Sequence, residues 1–406
     1  MSRLEELIAE LCPNGVKFYR LGDVAEISTG SSNSNEEESD GVYPFFVRSR
    51  DIKRKNSWEY DETAIITAGD GEVGKIYHYI EGKYALHQRA YRIHIINEKV
   101  YTKFIYYYMM SAFYSYITKE AVSSSVMSLR RRMFENFVVP VPPLPVQEEI
   151  VRILDNFAEL TAELTAELTK RKQQYQYYRD SLLDFSDDND NKSNQIKRLI
   201  NDLCPNGVEY KTLGELATDI FRGSGITRDQ VRKSGTPCVR YGEIYTTYGV
   251  WFEECVSFTD ESIIPSKKYF EYGDILFAIT GEKVEDIAKS CVYIGKEKCL
   301  IGGDIVVMKH TQNPKYMGYA LSTSSAQAQK SKGKVKSKVV HSSIPSIKEI
   351  VIPVPPLPIQ KEIVAILDRF DALCNDLTSG LPAEIEARKK QYEYYRDKLL
   401  TFKEAV

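Results

Sequence analysis

Two stretches of the 406-residue sequence are nearly the same: VPVPPLPVQEEIVRILDNF at 139–157 and IPVPPLPIQKEIVAILDRF at 352–370, 213 residues later. Other segments repeat with them. LCPNGV at 11–16 returns at 203–208, an offset of 192, and RLGDVA at 20–25 returns at the same offset as TLGELA. VRSRDI at 47–52 returns as VRYGEI at 239–244, and RKQQYQYYRD at 171–180 returns as RKKQYEYYRD at 388–397. Solenoid repeats have periods of roughly 20–50 residues, so a spacing near 200 is a duplicated domain. The chain is two tandem copies of one unit, each a globular part followed by a helical part.

The helical parts are set by spacing. Proline is excluded from helix interiors, so VPVPPLP is an extended lead-in. Beyond it Ile150, Ile153, Leu154, Phe157, Leu160, Leu164, Leu168, Tyr175, Tyr178 and Leu182 recur at three- and four-residue intervals, one face of a helix. The second copy repeats the stripe with Ile363, Leu367, Phe370, Tyr392 and Tyr395, interrupted at Ser379-Gly380-Leu381-Pro382, which predicts a break. Two complementary stripes predict an antiparallel coiled-coil pair. The alternative is that each helix packs on its own globular part. TAELTAELT, at 161–169, is a four-residue repeat, so each added copy lengthens a helix by ~6 Å and rotates the residues beyond it by ~40°.

The fold class predicted is α+β: two mixed-sheet domains joined by two long helices with approximate two-fold symmetry. The segments are 1–140, 141–190, 191–353 and 354–406. Strands are predicted at Ala64–Thr67, Tyr91–Ile95, Asp274–Ile279 and Asp304–Met308, and helices at Tyr101–Tyr116 and Lys315–Lys330. At 43% hydrophobic residues the chain has enough apolar content for real cores. It has no apolar run of about 18 residues, the length of a membrane span. Seven scattered cysteines without a CxxC, in a chain lacking a secretion-like leader, read as reduced thiols of a cytoplasmic protein.

No catalytic or metal site emerges. The five histidines form no HxxxH pair. Gly69-Asp70-Gly71-Glu72-Val73-Gly74 lacks the spacing and terminal lysine of a phosphate loop and reads as a strand turn. Asn313-Pro314-Lys315-Tyr316 faintly resembles an adenine methyltransferase motif but lacks its second proline, and reads as a helix start.

The basic residues say more. Arg48, Arg50, Lys53, Arg54 and Lys55 cluster in the first globular part, and Arg130 and Arg131 close it. In the second, Arg222, Arg228 and Arg240 crowd the early loops, Tyr241 follows them, and Thr280, Glu282 and Lys283 lie in the Gly-containing loop that corresponds to Thr67–Gly74. From His310 to Lys348 there are seven lysines and no carboxylate, Lys330, Lys332, Lys334 and Lys336 among them, in a stretch that reads as a mobile basic loop. Such clusters neutralise phosphates, and arginine grips guanine through paired donors. The acidic run Glu36 to Asp40 is expected to face away from DNA.

The framework PxPPLPxQxxIVxILDxF, the TAEL units and RKxQYxYYRD, doubled around two divergent domains, resembles the DNA specificity subunit of type I restriction–modification systems. The resemblance covers essentially the whole chain. It implies a non-catalytic subunit whose two target recognition domains each read one half of a split, asymmetric site in double-stranded DNA. It implies that the helices space the halves and dock two modification subunits, and that motor–nuclease restriction subunits join them. S-adenosylmethionine, ATP and Mg2+ would be bound by those partners and no cofactor by this chain. A scaffold without DNA, or an enzyme with a composite site, are the other readings.

Overall fold

The structure is a computed structural model, and it describes residues 3–120, 129–186, 194–284, 286–331, 334–336, 339–375 and 380–405. The chain divides into two compact units. One holds Met1–Thr165 together with Glu384–Val406, and the other holds Ala166–Ala383. Each unit therefore joins one globular part, the start of the helix after it, and the end of the other copy's helix.

In the first unit a six-stranded sheet runs in the order Ala25–Thr29, Ala90–Ile95, Tyr60–Ala68, Tyr77–Leu86, Tyr43–Phe46, Lys53–Lys55. All its pairings are antiparallel except that of Tyr43–Phe46 with Tyr77–Leu86. The apolar half of Tyr60–Ala68 is buried on both faces. Helix Thr102–Glu120 lays Phe104, Ile105, Met109, Phe113 and Ile117 into one core with Ile65, Ile93 and Phe134.

The second unit splits the same plan into two five-stranded sheets. One orders Asp219–Arg222, Ile305–Lys309, Ile275–Ala278, Ser290–Tyr293 and Trp251–Phe252. The other orders Val231–Arg232, Ser257–Thr259, Thr236–Val239, Cys299–Ile301 and Tyr269–Phe270. Predicted strands Ala64–Thr67 and Tyr91–Ile95 lie within observed ones, while Asp274–Ile279 and Asp304–Met308 overlap the observed Ile275–Ala278 and Ile305–Lys309. The predicted helix Lys315–Lys330 is two helices, Pro314–Ser322 and Ser324–Lys330. Thr323 breaks it in extended conformation and caps the second piece by accepting from the Ala326 amide at 3.2 Å. Asn313 caps the first piece, as its reading as a helix start required.

Each globular part is closed by a two-stranded ribbon that joins its first strand to its last. Lys17–Arg20 pairs antiparallel with Val138–Val141, and Tyr210–Thr212 with Val351–Pro353. In the first unit the LCPNGV turn also receives the chain's end, with Val16 N donating to Lys403 O at 2.9 Å. Gly15 sits there at φ +96°, and a Cβ on it would fall 2.6 Å from that carbonyl. Only glycine meets both demands.

The first spacer is one uninterrupted helix, Leu144–Leu182, of 39 residues, about 58 Å at ~1.5 Å per residue. The second copy has two helices, Leu357–Asn375 and Leu381–Leu399; of the predicted interruption, Gly380 is a bend and Leu381-Pro382 open the second helix, while Ser379 lies outside the described residues. In the second unit Tyr178 stacks on Phe370 at 5.5 Å, and the charge of Asp371 bears on Tyr175. Residues later in one helix thus face residues earlier in the other, the antiparallel sense. In the first unit Phe157 stacks on Tyr395 at 5.5 Å.

The stripe is not all interhelical. Ile150, Leu154, Ile363 and Leu367 are completely buried in the globular cores, so they fasten each helix to its own domain and are closed to any partner subunit. These four pack as in the alternative, each helix on its own globular part. Leu164 and Leu168 are half-buried, and the helix between Leu154 and Tyr175 contributes no fully buried residue to either core. All seven cysteines are free thiols. Among the described residues, no helix is long and apolar enough to cross a membrane.

Candidate nucleic-acid interface

The two units share one set of fasteners. After PVPPLP, Gln147 is completely buried. Its Nε2 donates to Pro142 O at 2.6 Å and Lys99 O at 2.8 Å, and its Oε1 accepts from Tyr101 N at 2.8 Å. Gln360 does the same with Pro355 O at 2.7 Å, the Gln312 side chain at 2.8 Å and Asn313 N at 3.0 Å. Eight residues on, Asp155 accepts from Tyr107 OH at 2.5 Å and pairs with Lys103 at 2.8 Å. Asp368 accepts from Tyr319 OH at 2.6 Å and pairs with Lys315 at 2.8 Å. Burial and the adjoining carboxylate push both tyrosine hydroxyls well up, so each stays protonated and donates. The far ends match too: Asp397 accepts from Ser111 Oγ at 2.8 Å and Asp180 from Ser324 N at 3.2 Å. The Gln, the Asp of ILD and the Asp of YYRD are thus the polar bolts of the repeated frame. Within the repeated motifs these polar residues do not stand out from the apolar stripe. The signal was present, because Lys103-x-x-x-Tyr107 returns as Lys315-x-x-x-Tyr319.

Away from those bolts, each globular part has a rim formed by equivalent strand ends. In the first unit it collects Arg48 after strand Tyr43–Phe46, Asp70 after Tyr60–Ala68, and Arg89 before Ala90–Ile95. Asp70 Oδ1 accepts from Arg48 at 2.6 Å and Oδ2 from Arg89 at 3.3 Å. Partial burial pushes the Asp70 carboxyl up, but the two guanidiniums outweigh it and hold the group below its ordinary value. Beside them His87 Nδ1 accepts from Arg89 N at 3.0 Å. Burial, with Arg48 and Arg89 alongside, pushes His87 down, which keeps that nitrogen an acceptor. Arg50 pairs with Glu72 at 3.4 Å.

The second unit's rim is built at the same positions from other residues. Arg240 stands where Arg48 does and donates to Glu243 at 3.0 Å, which also accepts from Ser257 Oγ at 2.7 Å. Asp304 stands where Arg89 does, in left-handed conformation at φ +60°, and holds Arg222. Thr280 contacts His341 at 3.2 Å. Strands Thr280–Gly281, Val339–His341 and Lys334–Lys336 form a small sheet along this rim. Tyr241, Glu282 and Lys283 are exposed beside it, and Arg228 is exposed on a turn at Arg228–Gln230.

Several candidates sit in surroundings that their charge alone does not reveal. Lys53 and Lys55 lie on an edge strand and pair with Glu37 and Glu36, so the acidic run lies against this part of the basic cluster. Arg54 donates to Val42 O at 3.1 Å. Arg131 pairs with Glu135 at 2.8 Å, with Arg130 exposed before it. The basic stretch expected to be a mobile loop carries strand residues at Lys334–Lys336, paired with Val339–His341; Lys332 lies outside the described residues. Lys330 is a correction. Its ammonium is buried and donates to Leu321 O at 2.6 Å and Ser290 Oγ at 2.9 Å, because the helix that carries it turns that face inward. The sequence missed Asp70, Arg89 and Asp304 at the rim. Among the described residues, no cluster of His, Cys, Asp or Glu could hold a metal.

A duplicated frame with two unlike rims defines a two-headed recognition protein. Residues 13–171 and 205–387 match the family of type I restriction modification DNA specificity domains, and the chain belongs to that family. Its members are specificity subunits, which supply DNA recognition and no catalysis. The chain is 30% identical to the EcoR124I/EcoR124II specificity subunit of Escherichia coli over 277 residues, 65% of this chain and 61% of that protein. It is 27% identical to the putative specificity subunit S.HindORF215P of Haemophilus influenzae, over 95% of this chain and 96% of that one. The fold is that of the S subunit from Mycoplasma genitalium, with a TM-score of 0.52 and 15% identity over 95% and 96% of the two chains.

Proposed function

We propose that this chain reads a bipartite, asymmetric site in double-stranded DNA, one half with each rim, and directs methylation and restriction by partner subunits. The observation that carries this is the contrast within the repeat. Gln147, Asp155, Lys103 and Tyr107 return as Gln360, Asp368, Lys315 and Tyr319, with matching Asp–Lys and Asp–Tyr bonds and a matching backbone amide on each glutamine oxygen. The rims instead exchange Arg89 for Asp304 and hold their arginines on different carboxylates. One frame used twice gives two equivalent docking surfaces, which suits two modification subunits; unlike rims give unlike half-sites. Arg48 and Arg50 are the readers we assign to one half, with Arg222, Arg240, Tyr241, Thr280, Glu282, Lys283 and the lysine hairpin for the other. Restriction subunits join the same complex in the cytoplasm. S-adenosylmethionine, ATP and Mg2+ belong to those partners.

The central helix is the spacer. Thr161 and Thr165 return their hydroxyls to the carbonyls four residues back, at 2.8 and 2.7 Å. The repeat thus satisfies its own polar groups and extends in whole units without new partners.

The test is the genome-wide adenine methylation map, with and without this gene and with the modification subunit present. A single bipartite motif that vanishes with the gene supports the reading. A map unchanged by deletion, with the subunits expressed, rejects it.

A further inference from the structure

We propose that Asp70 is a positioning residue that sets Arg48 and Arg89 as one paired guanidinium fork, and that Arg89 reads a guanine edge in the first half-site. This rests on the rim being a DNA-reading face.

Asp70 spends one oxygen on each arginine. Each guanidinium gives the carboxylate one terminal nitrogen, NH1, and its other N–H groups have no partner among the described residues. Burial divides the trio: the Asp70 side chain is 20% exposed, Arg48 40% and Arg89 63%. The acid is recessed and the donors are open to solvent. An exposed ion pair adds little to folding, so stability does not explain two arginines held on one acid. Holding long side chains in place before binding removes an ordering cost from recognition.

The backbone beneath is equally fixed. Gly69 N donates to Arg89 O at 2.9 Å, His87 N to Phe46 O at 2.9 Å, and Ala68 lies opposite Ala90 in the sheet. These bonds tie the strand ends bearing Asp70, Arg89 and Arg48. Gly69 is required, since a Cβ would fall 2.7 Å from the Arg89 carbonyl. A planar fork of two N–H donors matches guanine O6 and N7 in the major groove, and a lysine cannot reproduce it. In the second unit the position of Arg89 is occupied by Asp304, which anchors Arg222 instead. The same place on the frame thus holds a donor in one copy and an acceptor in the other.

The experiment uses the full chain assembled with its modification subunit. Arg89→Lys, Arg89→Ala, Asp70→Asn and Asp70→Glu are scored for methylation of oligonucleotides substituted at each position of both half-sites. Arg89→Lys and Arg89→Ala are expected to lose roughly tenfold or more of the discrimination at one G·C pair of one half, with the other half unchanged. Asp70→Asn relaxes that position and the one read by Arg48, and Asp70→Glu restores part of the stringency. Wild-type stringency in Arg89→Lys overturns the proposal. So does weaker methylation of every sequence with a salt slope lower by about one, the behaviour of a phosphate anchor. A lowered melting temperature in Asp70→Asn with base preference intact makes the carboxylate a structural brace and also overturns it. A motif that survives deletion of the gene instead rejects the reading of the whole chain, so the two failures are distinct.

Discussion

The glutamine of the repeated PVQ and PIQ motifs gives a prediction whose size is set by its bonds. Gln147→Leu keeps most of the volume of a completely buried side chain and removes three hydrogen bonds, to Pro142 O, Lys99 O and Tyr101 N. At about 1 kcal/mol per bond, the loss is about 3 kcal/mol, because all three orphaned groups are backbone atoms, which cannot rotate away as a side chain can. Gln360→Leu removes three bonds too, but one partner is the side chain of half-buried Gln312, which can rotate to solvent. Its expected cost is about 2 kcal/mol. Gln147→Glu keeps the shape and sets an anion against two carbonyl oxygens, so it should cost more than leucine does. Urea titration of the full chain gives the ranking as a shift of midpoint at constant slope. Hydrogen exchange gives the location: Tyr101 N should lose protection in Gln147→Leu and Asn313 N in Gln360→Leu. A Gln147→Leu variant within about 0.5 kcal/mol of wild type, the range of an ordinary surface change, refutes the argument that this side chain clamps the lead-in to the helix.

Two further outcomes are expected. Burial first, and then the charge of Arg179, push the Lys330 ammonium down from 10.5 to about 7. Its folded value lies below its unfolded one, so the unfolded chain binds the extra proton between them and stability rises with pH from about 7 to about 10, by at most ~5 kcal/mol. Lys330→Met should flatten that rise in melting curves taken across this range, and an unchanged profile would show that the ammonium is solvated. Inserting one further TAEL unit after Leu168 should lengthen the central helix by ~6 Å and widen the gap of the methylated motif while leaving both half-sites as they were. Changed half-site sequences with a constant gap would show that the helix is not the spacer.

Much of the frame was legible because duplication prints it twice. The proline lead-in, the helix stripe, the break near Gly380 and the strands expected at 64–67 and 304–308 all come from local pattern, which proline exclusion, helical spacing and apolar alternation determine within a few residues. The rim was legible only as a tendency. Arg48 is visible as a charge, but its partner Asp70 is 22 residues away, and Asp304 is 82 residues from Arg222. Charge clusters also mislead. Lys53 and Lys55 read as part of a purely basic cluster, whereas the fold sets them beside Glu37 and Glu36. Lys330 belongs to a basic run by composition but to the core by helix orientation. A one-dimensional run of cations does not say which face each occupies.

The division between bolts and rims also bears on how such a chain changes. In the first unit the fastening network of Gln147, Asp155, Lys103 and Tyr107 shares no residue with the Asp70–Arg48–Arg89 fork. Substitutions in networks with no common partner act additively. A rim can therefore trade Arg89 for an acid, as the second copy does with Asp304, without loosening the bonds that hold its domain to the spacer helices. The converse is not open to the frame. Asp155 serves Lys103 and Tyr107 together, and Tyr107 is only 4% exposed, so removing the acid strands a buried hydroxyl beside an unpaired cation. Selection acting on the two copies would then hold the bolts identical while leaving the rims free to diverge, and that is the pattern the two halves of this sequence display.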